Sequence, residues 1–424
     1  MTIFNKVLIA ATGVVCAFSV ACGGGSSPAK TNSIVQTGQN VAPIVVNAGP
    51  AASLSGSQAF SYVNGAFASV TVCVPGTSTC QTIDGVLVDT GSFGLRLVSS
   101  PVLTIALPQQ KAPNGDAVAE CLTFLGSYTW GPVQTADVQI AGEKASAVPI
   151  QVLSDTAFTV PSGCSSSGFQ SADTVENLGA NGILGIGNAA QDCPACDPSS
   201  GVTNPDLYYA CASTTSCTPT TELLSQQVVN PVALFPTDNN GVIVELPSVS
   251  GSEATVSGSL VFGIGTQSNN GLGSATVYTI DRNSLSFTTK YNGASYQGSF
   301  IDSGSNGYFF LDSGTAGLPN CTDSTGTPTG FYCPTSPQTF SATNEGTNGT
   351  IGAVSFSIAN ADTLFVSSSD TAFSQLGGPS IMGMPSSSNP DFFDWGLPFF
   401  YGRNVYVSIE GTTAPGGTTP YWAY

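Results

Sequence analysis

Two short segments hold the residues best suited to chemistry. Leu87-Val88-Asp89-Thr90-Gly91-Ser92-Phe93-Gly94-Leu95 and Phe300-Ile301-Asp302-Ser303-Gly304-Ser305-Asn306-Gly307-Tyr308 share one pattern: apolar, apolar, Asp, hydroxyl, Gly, Ser, any, Gly, apolar. Their aspartates lie 213 residues apart. In each, an apolar strand delivers the carboxyl into a low-dielectric position. The adjoining hydroxyl can hydrogen-bond across to the other loop, and Gly lets the backbone turn tightly. Two carboxyls within hydrogen-bonding distance cannot both ionise easily, so they share a proton. One is then a base and the other an acid, enough to deprotonate a water and polarise an amide carbonyl. That is peptide hydrolysis without histidine or metal. The pair titrates as a unit, so neither Asp89 nor Asp302 has a fixed role. Thr90, Gly91, Ser92, Ser303, Gly304 and Ser305 are the expected supports. Asp312-Ser313-Gly314-Thr315 is a third copy, ten residues after Asp302. Asp302 is preferred because Gly307 and Tyr308 reproduce the Gly94 and Leu95 context, whereas Asp312 runs on into Leu318-Pro319-Asn320.

Composition narrows the alternatives. The 424 residues include no histidine, which removes Ser-His-Asp and Cys-His hydrolases and the common His-ligated zinc enzymes. Eight Lys+Arg stand against 26 Asp+Glu, a net charge of −18 that would repel a phosphate backbone, so no nucleic-acid partner is expected. The acidic surface reads as a solubility device. There is no phosphate loop, dinucleotide fingerprint or EF-hand pattern, and neither a cofactor nor a metal is expected.

The elements that must position the two loops are strands. Short apolar runs recur, as in Ala68–Val74, Gly85–Val88, Ala136–Ile140 and Gly241–Leu246, punctuated by Gly, Pro, Ser and Asn turns. Helical pattern is scarce; the best stretch, Glu222 to Leu234, is interrupted by Pro231. The class is all-β. The 213-residue repeat is the distance expected of a duplicated β lobe, each copy giving one Asp loop to a shared cleft. The expected organisation is an export signal at 1–22, a flexible tether at 23–57, an N-terminal β lobe at 58–240 and a C-terminal β lobe at 241–424. The aromatic cluster Phe392-Phe393 with Phe399-Phe400-Tyr401 reads as core between the lobes and not as a ligand platform.

The two Asp loops resemble the active-site loops of pepsin-like aspartic proteases, and further matches follow in order over about residues 60 to 411. Asn181-Gly182-Ile183-Leu184-Gly185-Ile186-Gly187 resembles the segment that braces the first aspartate loop in that family. Ser257–Gly265 resembles the Gly-rich strand opening the second lobe. For the second brace, both Ile381-Met382-Gly383-Met384-Pro385 and Trp395-Gly396-Leu397-Pro398-Phe399-Phe400-Tyr401-Gly402 are candidates. The resemblance implies a bilobal double β-barrel with a cleft between lobes. It also implies an aspartic endopeptidase, working as a monomer on extended peptides. A flap hairpin with an aromatic ring is expected over Phe124–Gly131, with Tyr128 or Trp130 as that ring. Arg96 stands where the family usually carries an aromatic. Near the dyad its guanidinium would favour ionised carboxylates and a lower working pH; the alternative is an Arg reaching solvent or pairing with a peripheral Asp. The other reading of the whole chain is a protease-like scaffold that binds a peptide, glycan or envelope partner without hydrolysis. The same motifs also resemble a group of bacterial lipoproteins.

Residues 1–22 read as an export signal, with Lys6 as the positive n-region and Val7 to Val20 as the apolar core. Ser19-Val20-Ala21-Cys22 resembles a lipoprotein cleavage box with Cys22 as the lipidated residue, although Ser19 stands where Leu is usual; an ordinary secretory cut near Ala21 is the alternative. Gly23 resembles the residue of lipoproteins sorted to the outer membrane, which would make the lipid the chain's only membrane attachment. Setting Cys16 and Cys22 aside leaves ten cysteines, read as five structural disulfides in an oxidising compartment. Nearest-neighbour pairing would close 73–80, 211–217 and 321–333. Cys193-Pro194-Ala195-Cys196 reads as a structural pair in preference to a redox or zinc motif.

Overall fold

The computed structural model describes residues 36–54, 61–124, 126–154, 156–165, 169–367, 369–380 and 392–424. The export signal, the Cys22 box and the Ile381–Pro385 brace candidate lie outside them.

The first lobe is a closed barrel. Strands β2 (Ala66–Cys73), β3 (Cys80–Asp89), β8 (Gly182–Ile186), β4 (Phe93–Val98), β7 (Glu143–Leu153) and β6 (Ser127–Ile140) pair in that order, and β6 returns to β2 through Thr71↔Gln139 and Val72↔Val138. The period-2 pattern explains the closure: Ala66, Ala68, Val70 and Val72 of β2 all enter the core, as do Val86 and Val88 of β3 and Leu95 and Leu97 of β4. A hairpin of β5 (Ala117–Phe124) and β6 extends from the barrel.

The second lobe carries an open sheet in the order β15 (Ile351–Ile358), β14 (Gln338–Glu345), β11 (Phe287–Tyr291), β12 (Ala294–Ile301), β16 (Phe393–Trp395), β13 (Tyr308–Phe310). Its core is aromatic. Phe310, Phe356, Phe393 and Trp395 interlock with centroids 5.1 to 5.5 Å apart. Phe399 and Phe400 are fully buried and Tyr401 nearly so, in one apolar cluster that includes residues of both lobes. Each such ring contributes about 2–3 kcal/mol by leaving water. Only Phe392 of the expected aromatic core stays half-buried, tilted against Phe300.

The lobes are joined by a shared sheet. Strand β1 (Val41–Val46) pairs antiparallel with β2 of the first lobe and with β10 (Val256–Phe262) of the second, and the sheet continues through β9 (Gly241–Leu246) to β17 (Arg403–Ser408). This corrects the tether expected up to residue 57. The run Val41-Ala42-Pro43-Ile44-Val45-Val46 is β-prone and apolar, and Ile44 and Val46 are completely buried.

All ten described cysteines pair: Cys73–Cys80, Cys121–Cys164, Cys193–Cys196, Cys211–Cys217 and Cys321–Cys333. The three short loops pair as expected, and Cys193–Cys196 is a disulfide. Five disulfides fit an extracellular or periplasmic protein.

Asn64 clamps the lobes beside the second Asp loop. It is fully buried in a left-handed conformation (φ 51°), which Asn tolerates better than most residues. Its amide donates to Asn306 O at 2.8 Å and Phe373 O at 2.9 Å, and its carbonyl accepts from Phe373 N and the Tyr401 hydroxyl, both at 2.7 Å. Replacing Asn64 by Ala strands these groups inside the protein. The variant is expected to unfold about 2–4 kcal/mol more easily in denaturant titration; a change below about 0.5 kcal/mol would contradict the clamp.

Candidate active site

Each Asp loop is built the same way. β3 ends at Asp89, the loop turns, and β4 leaves it; between them runs β8, parallel to β3 (Asp89↔Gly185) and antiparallel to β4 (Gly94↔Gly185). In the second lobe β12 leads to Asp302 and β13 leaves, with β16 threaded between them in the same senses. The second brace is therefore Phe393-Asp394-Trp395-Gly396, where Asp302 N donates to Trp395 O. A Cβ at Gly396 would collide with the carbonyl of Gly307, which is why Gly stands there.

The loops grip one another by crossed hydrogen bonds. Thr90 Oγ1 donates to Ile301 O at 3.1 Å and accepts from Ser303 N at 2.9 Å; Ser303 Oγ donates to Val88 O at 2.7 Å and accepts from Thr90 N at 3.1 Å. Both hydroxyls are buried. Gly91 N and Ser92 Oγ donate to the two oxygens of Asp89 at 2.8 and 2.5 Å, while Gly304 N and Ser305 Oγ contact those of Asp302 at 2.7 and 2.9 Å. The glycines make room: a Cβ at Gly91 would lie 2.5 Å from Asp302 Cγ, and one at Gly304 2.7 Å from Asp89 Oδ1.

The carboxyls of Asp89 and Asp302 adjoin, since a Cβ at Gly304 would meet both, and Asp302 is raised well above the usual carboxylate range. Burial is the main cause, followed by the charges of Asp89 and Asp394. The expected pairing of Asp89 with Asp302 is what the loops bring together. Asp312 plays another part: it caps the short helix Ser313–Ala316, and the Thr315 hydroxyl, followed by Thr315 N and Gly314 N, donates to it and holds it below the ordinary range.

Arg96 does not face the dyad. It is completely buried, with Nη2 2.7 Å from Glu120 Oε1 and 2.9 Å from Asp192 Oδ2 and Nη1 on Phe93 O; the Tyr208 hydroxyl donates to Asp192 at 2.6 Å. This corrects the reading that its charge lowers the working pH. Of the alternatives, pairing with a carboxylate holds, but inside the protein and with two carboxyls. Burial and Glu120 push Asp192 well above its ordinary range despite Arg96. Tyr128 and Trp130 are likewise turned inward. Both pack with Ala119, Cys121, Cys164 and Tyr209 behind the β5–β6 hairpin, and Trp130 Nε1 donates to Phe158 O. Neither provides the flap ring.

Sequence reasoning missed two residues. Tyr62, buried against Phe67, has its hydroxyl pKa raised by burial and then by Asp89 and Asp302, so it belongs to the dyad's surroundings. Asp394 lies beside Ser305; its one signal was polarity in a brace that is otherwise apolar. A polar cavity of about 530 Å³, lined by residues that include Gln39, Asn40, Glu143 and Gln267, contains none of the Asp-loop residues.

Fold and site define the class: a bilobal, pepsin-like all-β protein with paired aspartate loops between its lobes. The chain belongs to the family described as "Protein of unknown function (DUF3443)", whose profile matches residues 36–424. No curated protein matches the sequence. Among solved structures it is similar to the aspartic proteinase from Irpex lacteus, at 17% identity and a TM-score of 0.46 over 90% of this chain and 96% of that one.

Replacing Arg96 by Met leaves Glu120 and Asp192 buried together without a cation. The variant is expected to lose about 3–5 kcal/mol near neutral pH. Asp192's folded pKa lies above its unfolded one, so its stabilising contribution is complete at low pH and declines as pH rises. The loss, measured by denaturant unfolding, should therefore be larger at pH 8 than at pH 5.

Proposed function

We propose that the protein is an aspartic endopeptidase acting on extended peptides. The observation that carries this reading is the crossed grip of Thr90 and Ser303, which holds two Asp-Thr/Ser-Gly-Ser loops from opposite lobes with their carboxyls adjoining. The ionised carboxyl takes a proton from water, whose oxygen bonds to the amide carbon while the protonated carboxyl donates to the carbonyl oxygen. Collapse then breaks the C–N bond and returns a proton to the leaving amine. An extended peptide fits because a cleft between β lobes offers backbone partners along its length. We further propose that the chain is an exported monomer anchored at the outer membrane through lipid on Cys22, as in the bacterial lipoproteins its motifs resemble.

A second reading is a scaffold that binds a peptide, glycan or envelope partner without cleaving it. The inward packing of Tyr128 and Trp130 favours it, because neither of these hairpin rings is free to lie over the dyad.

Purified protein incubated with an unfolded protein mixture from acidic to neutral pH is expected to cut it. Asp89→Asn and Asp302→Asn, each confirmed folded, should cut at least about 100-fold more slowly. Wild-type protein that stays folded and leaves the mixture intact at every pH would reject the peptidase in favour of the scaffold.

A further inference from the structure

The dyad is accompanied by a third carboxyl, and counting hydrogens constrains its state. Ser305 Oγ lies 2.9 Å from Asp302 Oδ2 and 2.5 Å from Asp394 Oδ2. A serine hydroxyl has one hydrogen, so it donates to only one of these oxygens; the other contact is attractive only if that carboxyl is protonated and donates to Ser305. The surroundings of the two carboxyls point to Asp394 as the one that carries the proton. It is 2% exposed, and its second oxygen, Oδ1, is buried without a hydrogen-bond partner among the described residues. Asp302, in contrast, also accepts from Gly304 N at 2.7 Å. An ionised Asp394 would be a buried charge with no counter-ion among the described residues, an arrangement a protein interior disfavours.

Among the described residues, the charged groups that Asp394 meets are Asp302 and Asp89, both of like sign. Among its neighbouring strands, β12 presents Tyr296 against Phe393, and β13 presents Tyr308; Arg403, whose charge reaches Tyr308, donates to Phe399 O. On β11, Lys290 is paired with Glu345. None supplies a cation to Asp394. Burial accordingly raises this carboxyl well above its ordinary range, with Asp89 adding to the effect.

The first lobe has no counterpart. On β8 the residue between Leu87 and Arg96 is Ile183, where on β16 Asp394 lies between Phe300 and Phe309. The Ser92 hydroxyl donates to Asp89, with no second carboxyl at it among the described residues.

We propose that Asp394 is a positioning residue: a carboxyl kept neutral in the folded protein, which donates to Ser305 and thereby commits the Ser305 hydroxyl to Asp302. Loss of the Asp394 proton sets the upper pH limit of the site. The pH-limit claim rests on the peptidase reading; the protonation claim does not.

The test compares wild type with Asp394→Asn, whose amide donates to Ser305 as the neutral acid does but cannot ionise. The infrared spectrum of wild type at pH 7 is expected to contain a buried carboxylic-acid C=O band that the variant lacks. Asp394's folded pKa is the raised one, so its contribution to wild-type stability is complete below about pH 4 and is lost as pH rises. The melting temperature of the variant relative to wild type should therefore climb from pH 4 to pH 8. In cleavage assays the alkaline limb of the pH profile should move upward. A flat melting-temperature difference with no change in the infrared band would overturn the proposal. If Asp394→Asn does not fold, Ser305→Ala serves: removal of the acceptor should shift the same band, and an unshifted band is the contrary result. Wild-type protein that cleaves nothing but shows the band and the climbing difference rejects the peptidase while upholding the neutral Asp394.

Discussion

Two carboxyls inside a protein repel each other, and the architecture must hold them together against that force. Here the restraint is the reciprocal bonding of Thr90 and Ser303, in which each hydroxyl both donates to a carbonyl and accepts from an amide of the opposite loop. Neither loop can withdraw without leaving buried donors and acceptors unpaired on both sides, a loss of about 1–3 kcal/mol for each group. The other requirements follow from it. The loops must meet end on, so each lobe delivers its loop on one strand and removes it on another, with a third threaded between. Backbone must approach carboxyl, so Gly91 and Gly304 have no substitutes.

Much of this was legible because it depends on local chemistry repeated in the chain. The Asp-hydroxyl-Gly-Ser pattern, its spacing and the first brace Asn181–Gly187 identified the loops, and alternating apolar residues identified the strands. What could not be read depends on distant partners. Arg96 looked like a neighbour of Asp89 by position, yet its direction is decided by Glu120 and Asp192, 24 and 96 residues away. Tyr128 and Trp130 occupy one face of a strand, and which face turns inward depends on the Cys121–Cys164 bond and Tyr209 behind it. Val41–Val46 sits in a stretch rich in Gly, Ser and Asn, and that setting concealed a strand completed only by β10.

The two half-sites match in their grip and differ in what lies beyond it. At equivalent register positions, the first lobe places Ile183 between Leu87 and Arg96, and the second places Asp394 between Phe300 and Phe309. One lobe thus buries its charge as a cation satisfied by two carboxyls at a distance from the dyad. The other buries a carboxyl adjoining it. The two similar half-sites thus give their aspartates unequal surroundings.

The strand Val41–Val46 carries a consequence for how the molecule is made. It emerges more than two hundred residues before its partner Val256–Phe262. Until that partner arrives, one edge of the strand presents bare amides and carbonyls along an apolar ribbon, the kind of surface that recruits other chains. Its pairing is among the most distant in the sequence, and such pairings form slowly because a long loop must close first. A chain delivered from its amino terminus therefore passes through a stage in which its first lobe can form its barrel but has one strand still waiting, and escape from aggregation at that stage depends on how fast the second lobe follows.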